Sequence, residues 1–138
     1  MSFCILRQHC KKAEAECNAL CPSYIAMHGL SGEGGRVGAA NIPKDYRQVT
    51  LINSPAKDNQ AEVYRLAEAY TKTFSRQFED GQQARIKSLY LYSESPGTGK
   101  TTTASALANE YLIRHYIGSL KHGRQVRQRP VWFHDVNE

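Results

Sequence analysis

Residues 94–103 read Glu94-Ser-Pro-Gly-Thr-Gly-Lys-Thr-Thr-Thr103, and this stretch decides how the chain is read. Before it runs the alternating Ile86-Lys-Ser-Leu-Tyr-Leu-Tyr-Ser93, which predicts a buried strand. After it comes Ala104-Ser-Ala-Leu-Ala-Asn-Glu-Tyr-Leu-Ile113, apolar at helical spacing. Strand, glycine turn, Lys-Thr and helix form the context in which a phosphate-binding loop has its mechanics. Gly97 and Gly99 let the backbone curl so that successive N–H groups face phosphate oxygens, and the helix directs its positive end at the same anion. In this reading Pro96, Gly97, Thr98, Gly99, Lys100, Thr101 and Thr102 contact the phosphates of ATP. Lys100 reaches the β and γ phosphates, and the Thr101 hydroxyl ligates Mg²⁺. The full pattern has a glycine where this chain has Glu94, so the glycine that eases the turn out of the strand is missing.

The fold class that follows is α/β: a parallel-sheet P-loop core, incomplete at this length, behind a small cysteine-rich N-terminal module. Three segments are expected, with a cysteine-rich module at 1–28, a glycine-rich linker and approach segment at 29–56, and the start of the nucleotide-binding domain at 57–138. Gly29-Leu-Ser-Gly-Glu-Gly-Gly-Arg-Val-Gly38 reads as a flexible connection. Asn41-Ile-Pro-Lys-Asp-Tyr-Arg47 reads as an extended, turn-rich approach. From Gln60 to about Phe78, the residues Val63, Leu66, Ala67, Tyr70 and Phe74 recur at helical intervals, with Asp58 as a capping residue. A basic connection, residues 118–130, leads to Val131-Trp-Phe-His-Asp-Val136, the expected second strand. Tyr90 and Tyr92 share one strand face and are assigned to packing, and Trp132 to the core.

At 138 residues the chain has room for one modest domain, or for a small module and part of a larger one. Its net charge of +5 suits a nucleic-acid or acidic partner. No apolar run approaches the ~20 residues that cross a bilayer, and the N-terminus lacks the layout of a secretory signal. These features place the chain in the cytoplasm, with thiols reduced or metal-bound.

All four cysteines, Cys4, Cys10, Cys17 and Cys21, lie in the first 21 residues. Four thiolates can close a tetrahedral Zn²⁺ site, with His9 or His28 as substitute ligands, and a metal would stabilise a segment too short for its own core. The intervals are not the compact Cys-x2-Cys pairs of a typical zinc site. Cys10, Cys17 and Cys21 also share one face of a helix, so the alternative is that they are packed thiols.

Binding nucleotide is separate from hydrolysing it, which needs acidic residues to hold Mg²⁺ and orient water. After the loop the only acidic residues near a strand end are Asp135 and Glu138. Asp135 is the residue a small P-loop kinase would use, although acceptor-binding and lid segments for such an enzyme are missing. Arg114, Lys121, Arg124, Arg127 and Arg129 cluster around the basic connection. They are placed to track nucleic-acid phosphates, or simply to face water, since no aromatic residue interleaves with them to stack bases.

With these residues together, the chain resembles the bacterial and phage helicase loaders of the DnaC/DnaI type, within the AAA+ ATPases. The cysteine-bearing N-terminus is similar to the zinc-binding, helicase-contacting module of the DnaI-like branch. Ile42-Pro-Lys-Asp-Tyr-Arg-Gln-Val-Thr-Leu51 resembles the approach segment, Pro96-Gly-Thr-Gly-Lys-Thr101 the phosphate loop, and Trp132-Phe-His-Asp-Val-Asn-Glu138 the second core strand. The resemblance implies a protein that docks on a hexameric replicative helicase and helps deliver it to single-stranded DNA under control of ATP, with oligomer contacts through the ATPase core. The family's magnesium-binding acidic strand, sensor residue and arginine finger have no counterparts here. A non-enzymatic helicase-binding adaptor or inhibitor is therefore the alternative, with the small kinase behind it.

Overall fold

Helix α4, Lys100–Lys121, is the axis on which the chain is built. Eleven of its residues are buried, and they fall on more than one side. A helix covered in this way sits at the centre of a fold rather than on its surface. One apolar cluster packs Leu112, Ile113 and Tyr116 of α4 with Cys4, Ile5, Leu6, Tyr24, Met27, Val37, Ala40 and Ile42. A second joins Ala106 and Leu107 to Leu51, Tyr64 and Ala67. The computed structural model describes residues 4–10, 20–79, 85–92 and 99–134.

Around α4 lie α1 (Pro22–His28), α2 (Gly35–Ala39) and α3 (Ala61–Thr71), with 3-10 turns at Arg7–His9, Lys44–Tyr46 and Lys72–Phe78. Pro22 occupies the first position of α1, where its missing N–H costs nothing and its fixed φ suits a helix start. The expected helix over Gln60–Phe78 is present as α3 followed by the tighter 3-10 run. Its capping residue is Gln60 rather than Asp58, and no side chain caps it. Its inward residues are Tyr64, Ala67 and Thr71, then Phe74, while Leu66 faces outward.

The α/β expectation is not met. Among the described residues there is no strand and no sheet, and the architecture is helical. Residues 85–92 are not assigned to any strand. The alternation survives only as a one-sided contact, in which Leu91 packs on the second cluster while Tyr90 and Tyr92 are exposed at 84% and 69%. The Tyr70 hydroxyl donates to the Lys87 carbonyl and fastens the segment to α3. Period-two patterning reports which side chains can share a face; a ladder also needs a second backbone alongside. Residues 131–134 likewise form no strand and are tied down by Phe133 N–H donating to Ala40 O (2.7 Å) and Asn41 Nδ2 donating to Phe133 O (3.0 Å). Trp132, assigned to the core from sequence, is more than half exposed, with the Arg129 guanidinium 4.9 Å from its ring centre.

The glycine-rich stretch expected to be a flexible connection is folded. Gly35 has φ +63°, and a Cβ there would lie 2.6–2.7 Å from the backbone of Met27, His28 and Gly29. Its glycine is required by the close approach of α1 and α2. No helix among the described residues is long and apolar enough to cross a membrane.

Candidate phosphate-binding site

The start of α4 is set by Gly99, which caps the helix in the left-handed conformation at φ 89°, ψ 23°. Residues with a Cβ adopt this geometry at a cost, and here a Cβ would also come within 2.7 Å of the Ala56 methyl. Lys100 and Thr101 follow on the exposed side of the first turn, Thr102 is half-buried and Thr103 is buried. The Thr103 hydroxyl bonds the Tyr64 hydroxyl (2.9 Å), which bonds the Ser54 hydroxyl (2.5 Å), which accepts from the Ala56 N–H (3.2 Å). This buried chain fixes the helix start against α3 and against the 54–56 turn.

From the other side, Asn109 in the middle of α4 donates through Nδ2 to the carbonyls of Tyr46 (3.0 Å) and Val49 (2.8 Å). The approach segment is thereby clamped along α4. Its next turn closes on itself, with Thr50 N–H donating to Asn53 Oδ1 (2.7 Å).

The electrostatics of this helix end suit an anion. The first N–H groups of any helix lack i−4 carbonyls and together carry about half a positive charge. The first turn of α4 contains no acidic residue, and Lys100 adds a full positive charge where a helix ordinarily favours a negative one. Beside it opens a largely apolar cleft of about 410 Å³, bounded by Val63, Leu66 and Ala67 of α3 and by residues 89–92, with Gly99, Lys100 and Thr103 at one end. Tyr90 and Tyr92 stand nearly parallel along it, ring centres 6.4 Å apart. Such a cleft has room for a planar apolar group.

Of the loop residues read from sequence, Gly99, Lys100, Thr101 and Thr102 are brought to this end of α4. Pro96, Gly97 and Thr98 lie outside the described residues, as do Glu94, Asp135 and Glu138.

The cysteines are dispersed in environment. Cys4 is buried in the apolar cluster with Ile5 and Leu6, Cys10 is exposed and Cys21 is intermediate. Cys17 lies outside the described residues. Among those described, no three His, Cys, Asp or Glu side chains gather to hold a metal. His28, a substitute ligand on the sequence reading, has its Nε2 occupied as acceptor of the Ile5 N–H (3.0 Å). Burial pushes its pKa below the ordinary histidine value, which keeps that nitrogen available to accept.

Around the basic connection the structure supplies what the local sequence lacked. Phe78 packs face to face with His122 at 4.6 Å, and the Arg124 guanidinium lies 5.7 Å from the Phe78 ring centre. Arg114 is paired loosely with buried Glu110 at 3.9 Å. Sequence reasoning also missed Ser54, Ala56 and Tyr64, which hold the helix start, since nothing local marks a residue whose partner lies 39 positions away. Comparison of the chain with family models, with curated proteins and with solved structures gives no match.

Proposed function

We propose that the chain binds the phosphates of ATP at the start of α4 and acts as part of a helicase loader, docking on a hexameric replicative helicase in the cytoplasm and helping deliver it to single-stranded DNA. The observation that carries the nucleotide part is the left-handed Gly99 immediately before Lys100 and Thr101 at the free end of a 22-residue helix. Helix dipole, lysine charge and threonine hydroxyl then act on one anion. Thr101 would hold Mg²⁺, which would supply positive charge to offset that of the phosphates. The chain's own part is to position: Gly99 sets the turn, Lys100 supplies charge, and the Thr103–Tyr64–Ser54 hydroxyls keep the helix end from shifting. The helicase part rests on the resemblance in motif order.

A second reading is a helicase-binding adaptor that never cycles nucleotide. It is favoured by the exposed Leu89, Tyr90 and Tyr92, an apolar strip where a paired strand was expected.

The test is titration of the chain with Mg·ATP, followed by co-elution with the host's hexameric helicase. Lys100→Ala should weaken nucleotide binding at least tenfold while leaving the unfolding midpoint in place, because Lys100 is exposed. Helicase binding without nucleotide binding in the unmodified chain would replace the loader by the adaptor. Absence of both would end both readings.

A further inference from the structure

A second cleft, of about 770 Å³, lies at the opposite end of α4. Ser119 is 19 residues along the helix from Lys100, about 28 Å at 1.5 Å per residue, so this cleft is separate from the nucleotide end. Its lining includes Arg36, Tyr111, His115, Ser119, Arg124 and Arg127. No carboxylate among the described residues lines it, and none there forms an ion pair with Arg124 or Arg127.

We propose that this cleft binds a small phosphate-bearing ligand, a phosphomonoester of about mononucleotide size, on Arg124 and Arg127 with the Ser119 hydroxyl at its floor.

Three observations carry this. The first is the built wall. Arg36 donates from Nε to Arg127 O (2.9 Å), from Nη1 to Ala26 O (3.0 Å) and from Nη2 to Val126 O (3.4 Å), so it holds the 126–127 backbone over the cleft while adding a fixed charge. The Arg127 N–H donates to His115 Nε2 (3.1 Å), which leaves Nδ1 as the donor to Gln77 Oε1 (2.7 Å). The imidazole is thereby locked neutral, and Arg127 and Arg36 add to burial in holding its pKa below the ordinary value.

The second observation is Ser119. The residue is 1% exposed, and its Oγ has no hydrogen-bond partner. A buried hydroxyl in a polar cleft is costly unless something bonds it, and a phosphate oxygen would.

The third is the charge balance. Ser119 is near the carbonyl end of α4, which carries about half a negative charge and works against an anion. Three guanidiniums outweigh it. The nearest carbonyls are also already engaged, Gly118 O by the His122 N–H and Ser119 O by the Arg124 N–H. The volume lies in the range of small-molecule sites.

The experiment follows the His115 imidazole resonances of the full chain by NMR at pH 7.5, with inorganic phosphate as probe and sodium chloride matching its ionic strength. The amides of Gly99 and Lys100 report separately on the other end of α4. Phosphate should shift His115 saturably at millimolar concentration, and Arg127→Gln should weaken this at least tenfold. Since the Arg127 backbone makes the bond to His115, this substitution leaves the fold intact. Ser119→Ala should weaken it without moving the unfolding midpoint. A linear response equal to that of chloride, or an unchanged response in Arg127→Gln, overturns the proposal. Equal displacement by acetate replaces phosphate with a general carboxylate site. A single-stranded oligonucleotide shifting His115 at lower concentration than phosphate assigns the cleft to nucleic acid instead.

Discussion

Gly99 faces the methyl group of Ala56 so closely that a Cβ on residue 99 would lie 2.7 Å from it. The glycine that starts α4 is thus also a packing glycine, locked by both its φ and its neighbour. Gly99→Ala should cost about 1–3 kcal/mol in urea unfolding, from the left-handed backbone plus the clash. Ala56→Gly in the same chain should return only the steric part. Full recovery would show that the backbone geometry is relaxed in solution.

Asn109 should prove to be the residue that keeps the approach segment on α4. Asn109→Ala leaves the carbonyls of Tyr46 and Val49 without their donor and should lower stability by about 2–3 kcal/mol. The amide of Val49, which donates to Tyr46 O at 3.2 Å, should exchange faster in the variant. Unaltered exchange there would mean that the segment is held by its apolar residues alone.

Acidification should loosen the N-terminal segment. The pKa of His28 is lowered by burial, so the folded state binds a proton less readily than the unfolded chain, whose ordinary value is 6.5. Stability is then intact above that value and is lost as pH falls below it and through the lowered folded pKa. His115 acts in the same direction. A protonated Nε2 cannot accept from Ile5, so the Ile5 amide should lose exchange protection as the pH falls below 6.5. In His28→Gln that local transition should disappear while the His115 contribution remains.

The cysteines should divide by environment. Cys4→Ala removes a buried sulfur and should cost about 1 kcal/mol, whereas Cys10→Ala, at an exposed position, should stay within about 0.5 kcal/mol. Equal, large losses in both, together with one zinc per chain released on chelation, would instead assign them to a shared metal site.

The sequence by itself determined helices α3 and α4 and the start of the candidate site. Apolar spacing marked α3 and α4, and Gly99-Lys100-Thr101 marked where α4 begins, because helical periodicity and a glycine before a helix are local signals. It also marked the Asn41–Arg47 segment as turn-rich, which its short Lys44–Tyr46 turn reflects. Only the tertiary structure decided the rest. Whether Ile86–Tyr92 becomes a strand depends on a second backbone arriving beside it, and among the described residues none does. Whether Gly29–Gly38 is loose or folded depends on how closely α1 and α2 approach. The hydroxyl chain of Ser54, Tyr64 and Thr103, the clamp from Asn109 and the stacking of Arg124 on Phe78 join residues between 10 and 63 positions apart. Such contacts are properties of packing, and residue spacing along the chain carries no record of them.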